Sequence, residues 1–362
     1  MGVLTAPATR VERLAVRLEE TGAEAALVSP GADLRYLLGE SHASFERLTV
    51  LVVVPGRPDT LVVPAVEAAS WEGLEGRVQT VVWRDGQDPY DVVRVLLGER
   101  RRVAVSDAMP AAHLLRFQQR GLDLRLDQAV RRLRSVKEPA EIEQLRLAAV
   151  AIDEVHAAIP ELIRPGRREV NVARDIGRVM AERGFTSADF VAVASGPNGG
   201  SAHHASSDRV LEKHDVVFVD ISGPWQGGYH ADSTRTYALG RPAPEAVERY
   251  AAVREAFERA AATVAPGARA GTVDLAARAA LEEAGLREFF VHRTGHGIGL
   301  EVHESPSIVD GNDEPLEVGM AFSVEPGVYL PGEFGARLED IVVVTETGRE
   351  HLNNRPRELL VL

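Results

Sequence analysis

The stretch VFVDISGPWQGGYHADSTRT, residues 217–236, reads as two strands joined by a Gly/Pro-rich turn. Asp220 ends the first apolar run and Asp232 stands at the start of the second. With the turn centred near Gln226, the two acids fall six residues either side of it and are expected to lie opposite one another. A second stretch, FSVEPGVYLPGEFGARLED at 322–340, repeats the arrangement with Glu325 and Glu339 around a turn near Glu333. Facing residues of a hairpin have Cβ atoms ~4.5–5.5 Å apart, which suits carboxylates shared by two metal ions ~3.5–4 Å apart. One acid beside a hairpin is ordinarily solvated. Four at the ends of apolar strands would repel one another if buried without cations, so the pattern points to metal.

HRTGHGIGLEVHE, residues 292–304, lies between the two acidic stretches. Gly295, Gly297 and Gly299 permit close backbone approach around His296, which favours a ligand role for that imidazole. His303 follows seven residues later, and His203 and His204 stand in GSAHHASSD at 200–208. Such imidazoles are candidates to hydrogen-bond a carbonyl oxygen or to shuttle protons, with a structural role the alternative for His204 and His292. Four carboxylates and one imidazole balance two dications. Oxygen-rich coordination of this kind suits Mn²⁺, Co²⁺ or Zn²⁺, and such ions make hydroxide available near neutral pH.

The acidic stretches belong to an internal repeat. Residues 164–185, RPGRREVNVARDIGRVMAERGF, resemble residues 265–286, APGARAGTVDLAARAALEEAGL, at an offset of 101. Each copy follows a long helix (140–163 and 244–264) and precedes a histidine region and an acidic hairpin. Two similar α+β halves are therefore expected to share one cleft. Residues 1–130 read differently, as alternating helices and strands (a helix over 11–20 closed by Gly22, a hairpin over 48–64, further runs to about residue 128). The expected organisation is an α/β domain over 1–130 followed by an α+β domain over 131–362, with the junction near Ala129–Lys137.

Composition narrows the rest. The 362 residues contain no cysteine, which excludes disulfides, zinc fingers, iron–sulfur clusters and thiol nucleophiles. A net charge of −13 argues against nucleic-acid binding. No apolar run approaches the ~20 residues of a membrane span. The opening MGVLTAPATRVERL lacks an apolar signal core, so no membrane partner and a cytoplasmic location are expected.

The motifs DISG…ADSTRT, GHGIGLEVHE, SVEPGVY and RLEDIVV, in this order and spacing, resemble the pita-bread-fold metallopeptidase family. That family includes methionine aminopeptidase, aminopeptidase P and prolidase. The resemblance covers the whole chain. Its first part is similar to the creatinase/prolidase N-terminal domain, which methionine aminopeptidase lacks, and this points to Xaa-Pro peptidases. The resemblance implies a pseudo-twofold catalytic domain and a homodimer acting on proline-containing di- or oligopeptides. It makes Asp220, Asp232, His296, Glu325 and Glu339 the ligands of two divalent ions, Mn²⁺ by preference, with Asp232 and Glu339 bridging. His203 and His303 would bind substrate or stabilise the tetrahedral intermediate, Glu325 would also shuttle the proton, and His292 and Arg337 would support the site.

Two departures stand out. The Asp220–Asp232 interval of 12 is one longer than in many relatives. Ser307 occupies the position where some prolidases carry an arginine for the dipeptide carboxylate, so a dipeptidase needs another cation: Arg337, Arg293, or Arg47 of a second copy. An aminopeptidase acting on longer Xaa-Pro peptides is the alternative. More remote are creatinase, a lyase, or a non-catalytic binding module on the same fold. The loop GESHASFERL, with His42, Phe45 and Arg47, either walls a partner's cleft or packs locally, with local packing the expectation.

Overall fold

The computed structural model describes residues 9–42, 44, 46–74, 77–126 and 128–362. The chain divides into two compact units between Arg134 and Ser135. Among the described residues no helix is long and apolar enough to cross a membrane.

The first unit is built on a mixed six-stranded sheet. Its elements in chain order are α1 (Arg10–Thr21), β1 (Ala25–Val28), α2 (Ala32–Leu38), β2 (Val50–Val53), β3 (Thr60–Pro64), β4 (Gln79–Trp83), α3 (Pro89–Leu97), β5 (Arg102–Val105), α4 (Ala111–Gln119), β6 (Asp123–Leu126) and α5 (Ala129–Ser135). The strand order is β4-β3-β2-β1-β5-β6. Helix α1 starts on a capping box between Thr9 and Glu12, and Gly22 closes it at φ +73°. The expected 48–64 hairpin is the antiparallel β2–β3 pair. In the loop before it, Arg47 bonds both carboxylate oxygens of Asp85, at 3.1 and 3.0 Å, and His42 stands edge-on to Trp71. Phe45 lies outside the described residues.

The second unit is duplicated. Its first half holds α6 (Pro139–Leu162), α7 (Glu169–Glu182), β7 (Phe190–Ser195), β8 (Val216–Pro224) and β9 (His230–Ala238). The second holds α8 (Pro244–Ala262), α9 (Ala270–Glu283), β10 (Gly295–Gly297), β11 (Glu304–Ile308), β12 (Ala321–Val324), β13 (Gly327–Leu330), β14 (Phe334–Arg337), β15 (Asp340–Thr345) and β16 (Gly348–His351), with a short β17 (Leu360–Val361) at the end. Helices α7 and α9 are both 14 residues long, and α9 begins 101 residues after α7. The strands form sheets β17-β9-β8-β7 and β11-β10-β12-β15-β16 and the ribbon β13-β14. This is the pseudo-twofold α+β arrangement expected of a pita-bread catalytic domain, following a creatinase-like α/β domain in the chain.

Strand alternation decides which residues reach the site. On β8, Val217, Val219 and Ile221 join Ile152, Val172 and Ile176 of the helices in one apolar cluster. Asp220 therefore points the other way, with Phe218, whose ring packs on Tyr329 from the second half. On β9, Ala231 and Tyr237 face the helices, leaving Asp232 and Thr234 on the opposite face. The halves meet where Thr234 pairs with Glu339, and the buried Arg235 bonds Asp340 at 2.6 Å.

One register expectation is corrected. Asp220 pairs with Thr234 and Asp232 with Ser222, so the two acids are diagonal rather than opposite. The cause is the turn. Gly227 and Gly228 both adopt positive φ, +84° and +85°, and move its centre one residue along. In the second stretch the ribbon register, Leu330 to Phe334, and the β12–β15 register, Val324 to Asp340, continue into each other. Carried through the break, they set Glu325 across from Glu339.

Candidate metal centre

Asp220, Asp232, His296, Glu325 and Glu339 are all buried and all line one cavity of about 750 Å³. One ligand atom each from Asp232, His296 and Glu339 fall within 4.8 Å of one another. His296 Nε2 is 3.2 Å from a Glu325 oxygen and 3.6 Å from an Asp232 oxygen.

Glu339, Glu325 and Asp220 are each held from outside the cluster. The hydroxyl of Thr234 donates to Glu339 at 2.8 Å. Ser323 Oγ accepts from the backbone N–H of His296 at 3.0 Å and donates to Glu325 at 3.1 Å, which ties two candidate ligands to one hydroxyl. Close approach requires glycine here: a Cβ on Gly295 would overlap the Ser323 carbonyl oxygen, and one on Gly297 that of Ser305. Arg337 ion-pairs with Asp220, donates through Nε to Tyr329 at 2.7 Å, and reaches Ala202 O at 2.8 Å.

The electrostatics call for cations. Burial, then the neighbouring carboxylates Glu339, Asp220 and Glu325, push Asp232 well above the ordinary carboxylate range. Burial and the charges of Glu325 and Asp220 do the same to Glu339. Asp220 is raised by burial against the pull of Arg337. Glu325 alone is lowered, to about 2: burial opposes ionisation, and the hydrogen bond and charge of His296 outweigh it. Asp220 Oδ1 and Asp232 Oδ1 are buried with no hydrogen-bond partner among the described residues. Nδ1–H of His296 donates to Gly297 O at 3.2 Å, which leaves Nε2 as the nitrogen turned to the carboxylates. Two orphaned oxygens among crowded carboxylates beside that nitrogen fit a site for divalent cations.

His303 stands edge-on to His296 at a ring separation of 4.2 Å. Desolvation, followed by His296 and Arg293, depresses its basicity. His203 lines the same cavity, exposed and with no hydrogen bond among the described residues. His292 is nearly enclosed and is lowered to about 4, chiefly by burial.

His204 turns away from this chemistry and bonds Glu169 at 2.8 Å. Glu169 was not read from the sequence. Fully buried, it also accepts from Ser195 N, Ser195 Oγ, Ser207 N and Ser207 Oγ at 2.6–3.0 Å, and so fastens the loop that carries His203. Asp274 in α9 plays the matching part, accepting from Thr294 N at 2.9 Å and Thr294 Oγ1 at 2.7 Å just before β10. The repeat gives no signal for either acid: at its offset of 101, Ala270 stands where Glu169 does and Ala173 where Asp274 does.

A duplicated α+β fold with buried acidic hairpins around one histidine defines a metallopeptidase. The chain belongs to metallopeptidase family M24, which it matches over residues 143–346, and residues 10–136 match the creatinase/prolidase N-terminal domain. It is 46% identical over 361 residues, 98% of this chain and 96% of the relative, to the probable dipeptidase PepE of Mycobacterium tuberculosis. It is 31% identical to the Xaa-Pro dipeptidase of Lactobacillus helveticus, covering 97% of this chain and 98% of that one. The crystal structure of dipeptidase PepE from Mycobacterium ulcerans superposes with a TM-score of 0.93 at 48% identity, over 97% of this chain and 96% of that chain. The protein is thus a peptidase that requires divalent metal and acts on peptide substrates.

Proposed function

We propose that this enzyme is an Xaa-Pro dipeptidase. It holds two divalent ions, Mn²⁺ by preference, on Asp220, Asp232, His296, Glu325 and Glu339. The observation that carries the reading is the buried acidic cluster with two orphaned oxygens, set beside a cavity walled by Phe190, Val191 and Ala192. The names of the relatives agree with it and favour it over an aminopeptidase for longer peptides.

Bound at that cluster, two divalent ions would supply an activated water and polarise the scissile carbonyl. Glu325 takes the proton released by the attacking water. Its Oε1 is occupied by Ser323, and Oε2 carries no bond among the described residues, so Oε2 receives it. The same carboxyl then returns the proton to the departing proline nitrogen. His203 and His303 project from two different loops into the cavity and donate to the developing oxyanion. Arg337 pairs with Asp220, opposing the effect of its burial, and holds it in place. The apolar wall receives the pyrrolidine ring, whose nitrogen has no proton to satisfy.

Homodimeric assembly and a cytoplasmic location belong to the same proposal, on the resemblance set out above. So does the functional division at 1–130 and 131–362, which falls within α5. The test is hydrolysis of Leu-Pro, Leu-Gly and Leu-Pro-Ala by protein stripped of metal and reloaded with Mn²⁺. Preferential cleavage of Leu-Pro is expected. Absence of Mn²⁺-dependent cleavage before proline rejects the reading.

A further inference from the structure

His303 reaches the cavity with no hydrogen bond of its own among the described residues, so its aim is set by the chain on either side of it. The next residue, Glu304, opens β11. Consecutive residues at the start of a strand face opposite sides, and His303 lines the cavity while Glu304 does not. The Glu304 carboxylate is instead buried against Lys137, whose Nζ donates to Oε2 at 3.1 Å. The side chains of Lys137 and Glu304 are 1% and 4% exposed, so water screens neither charge.

Both ends of this pair are built into the frame of the site. Lys137 N donates to Gly319 O at 2.9 Å and Val136 pairs with Met320, which ties the lysine to the chain entering β12. At the other end, Glu304 Oε1 accepts from Glu301 N at 3.0 Å, inside the turn that leads to His303. The carboxylate lies over Gly299: a Cβ there would be 2.7 Å from each of its oxygens. Gly299 O in turn accepts from His230 N at 2.8 Å, at the head of the strand that carries Asp232. Between β10 and β11 the register steps from His296–Ser307 to Gly297–Glu304. Such an irregularity re-aims the side chains beside it, and His303 ends edge-on to His296 at 4.2 Å. As a device for stability alone the pair is a poor choice, because apolar residues of similar volume often do as well or better. Its place next to His303 supplies another reason to keep it.

We propose that Lys137 and Glu304 are positioning residues for His303. Lys137 fixes the Glu304 carboxylate, the carboxylate gathers the 299–303 turn around itself, and the turn holds the imidazole where the oxyanion develops. Neither residue of the pair touches substrate. The proposal rests on the reading of His303 as an oxyanion donor given above, and not on the preference for proline.

The experiment measures kcat, KM, metal content and the urea midpoint for Mn²⁺-loaded wild type, K137M, K137M/E304Q, H303A and K137M/E304Q/H303A. The substrate is whichever of Leu-Pro, Leu-Gly and Leu-Pro-Ala the wild type cleaves fastest. K137M leaves a buried carboxylate unpaired and should unfold at lower urea, whereas K137M/E304Q removes both charges and should return the midpoint close to that of wild type. The kcat of K137M/E304Q should nevertheless stay about 10- to 100-fold down, with KM changed by less than about threefold and metal content unchanged, because a displaced donor is lost chiefly from the transition state. H303A should lose about 100-fold in kcat. In that background K137M/E304Q should cost less than about twofold more, since both changes act through one imidazole. Recovery of kcat together with stability in K137M/E304Q, loss of its metal, or a full additional loss on top of H303A would each overturn the proposal. If H303A itself leaves kcat unchanged, the reading of His303 is rejected and this proposal with it. If H303A is slow and K137M/E304Q is not, the reading of His303 stands and only this proposal falls.

Discussion

Nε2 of His292 accepts a 2.8 Å hydrogen bond from the hydroxyl of Tyr329. The same oxygen accepts from Arg337 Nε at 2.7 Å, and Arg337 in turn ion-pairs with Asp220. One buried chain thus runs from a candidate metal ligand through a guanidinium, a phenol and an imidazole to the backbone oxygen of Arg293. Its polarity is consistent: burial keeps His292 neutral, so Nε2 is free to accept. Tyr329→Phe removes the central oxygen and leaves a guanidinium N–H and an imidazole nitrogen unsatisfied. The expected loss is about 1–3 kcal/mol of stability by urea unfolding. Activity should fall about 10-fold or more, as when the outer partners of a metal ligand are removed. Unchanged kinetics would mean that the chain does not orient Asp220.

Asp232→Asn separates two properties of the acidic cluster. Asp232 is raised by burial and by three neighbouring carboxylates, so neutralising it relieves repulsion in metal-free protein. In chelator the variant should unfold at a higher temperature than the wild type. Excess Mn²⁺ should stabilise the wild type, by about 2.7 kcal/mol at one hundred times Kd, and leave the variant nearly unmoved and inactive. A full Mn²⁺-induced shift of Tm in D232N would remove Asp232 from the ligand set.

Glu169→Gln tests the support of the His203 loop. The carboxylate faces donors only, from Ser195, Asn198, His204 and Ser207. A glutamine amide would turn an N–H₂ group towards some of them. We expect a loss of about 2–3 kcal/mol in stability. Because His203 is displaced with the loop, kcat/KM should drop about 10- to 100-fold, with metal content unchanged. A loss of stability without a kinetic effect would show that the His203 loop holds its place by other contacts.

Much of this site is legible in the sequence. The acids were legible because each ends an apolar strand, where a solvated carboxylate has little reason to be, and the duplication was legible because α7 and α9 keep the same spacing and length. The register of β8 against β9 was not. WQGGY supports more than one turn, and only the two left-handed glycines fix the diagonal offset of Asp220 and Asp232. Glu169 was invisible for a different reason. An acid in the first turn of a helix normally favours the helix dipole from the surface, as Glu12 and Asp91 do in α1 and α3. Its burial depends on a loop 26–38 residues away closing over it. The short elements α2, β6 and α5 carry too few residues to display a period.

The last expectation concerns acid. His156, on α6, is enclosed beneath β9, with Nδ1 accepting from Tyr237 at 3.0 Å and Nε2–H donating to Ser233 O at 3.1 Å. Burial, then the charge of Arg235, lowers its pKa to about 3. An unfolded chain takes up a proton on this imidazole as pH falls through ~6.5, whereas the folded one does not until about pH 3. Stability is therefore fully present above ~6.5 and drains away on acidification, by about 1.4 kcal/mol per pH unit from this one group. His156→Gln keeps the donor to Ser233 and removes the titration. Compared in chelator by urea unfolding, wild type should lead the variant at pH 7.5 and lose about 2 kcal/mol of that lead by pH 5. The carboxylate cluster is common to both proteins and cancels in the difference. A lead that does not change with pH would mean that the folded imidazole takes up its proton as readily as the unfolded one, and that the acid sensitivity of this fold arises elsewhere.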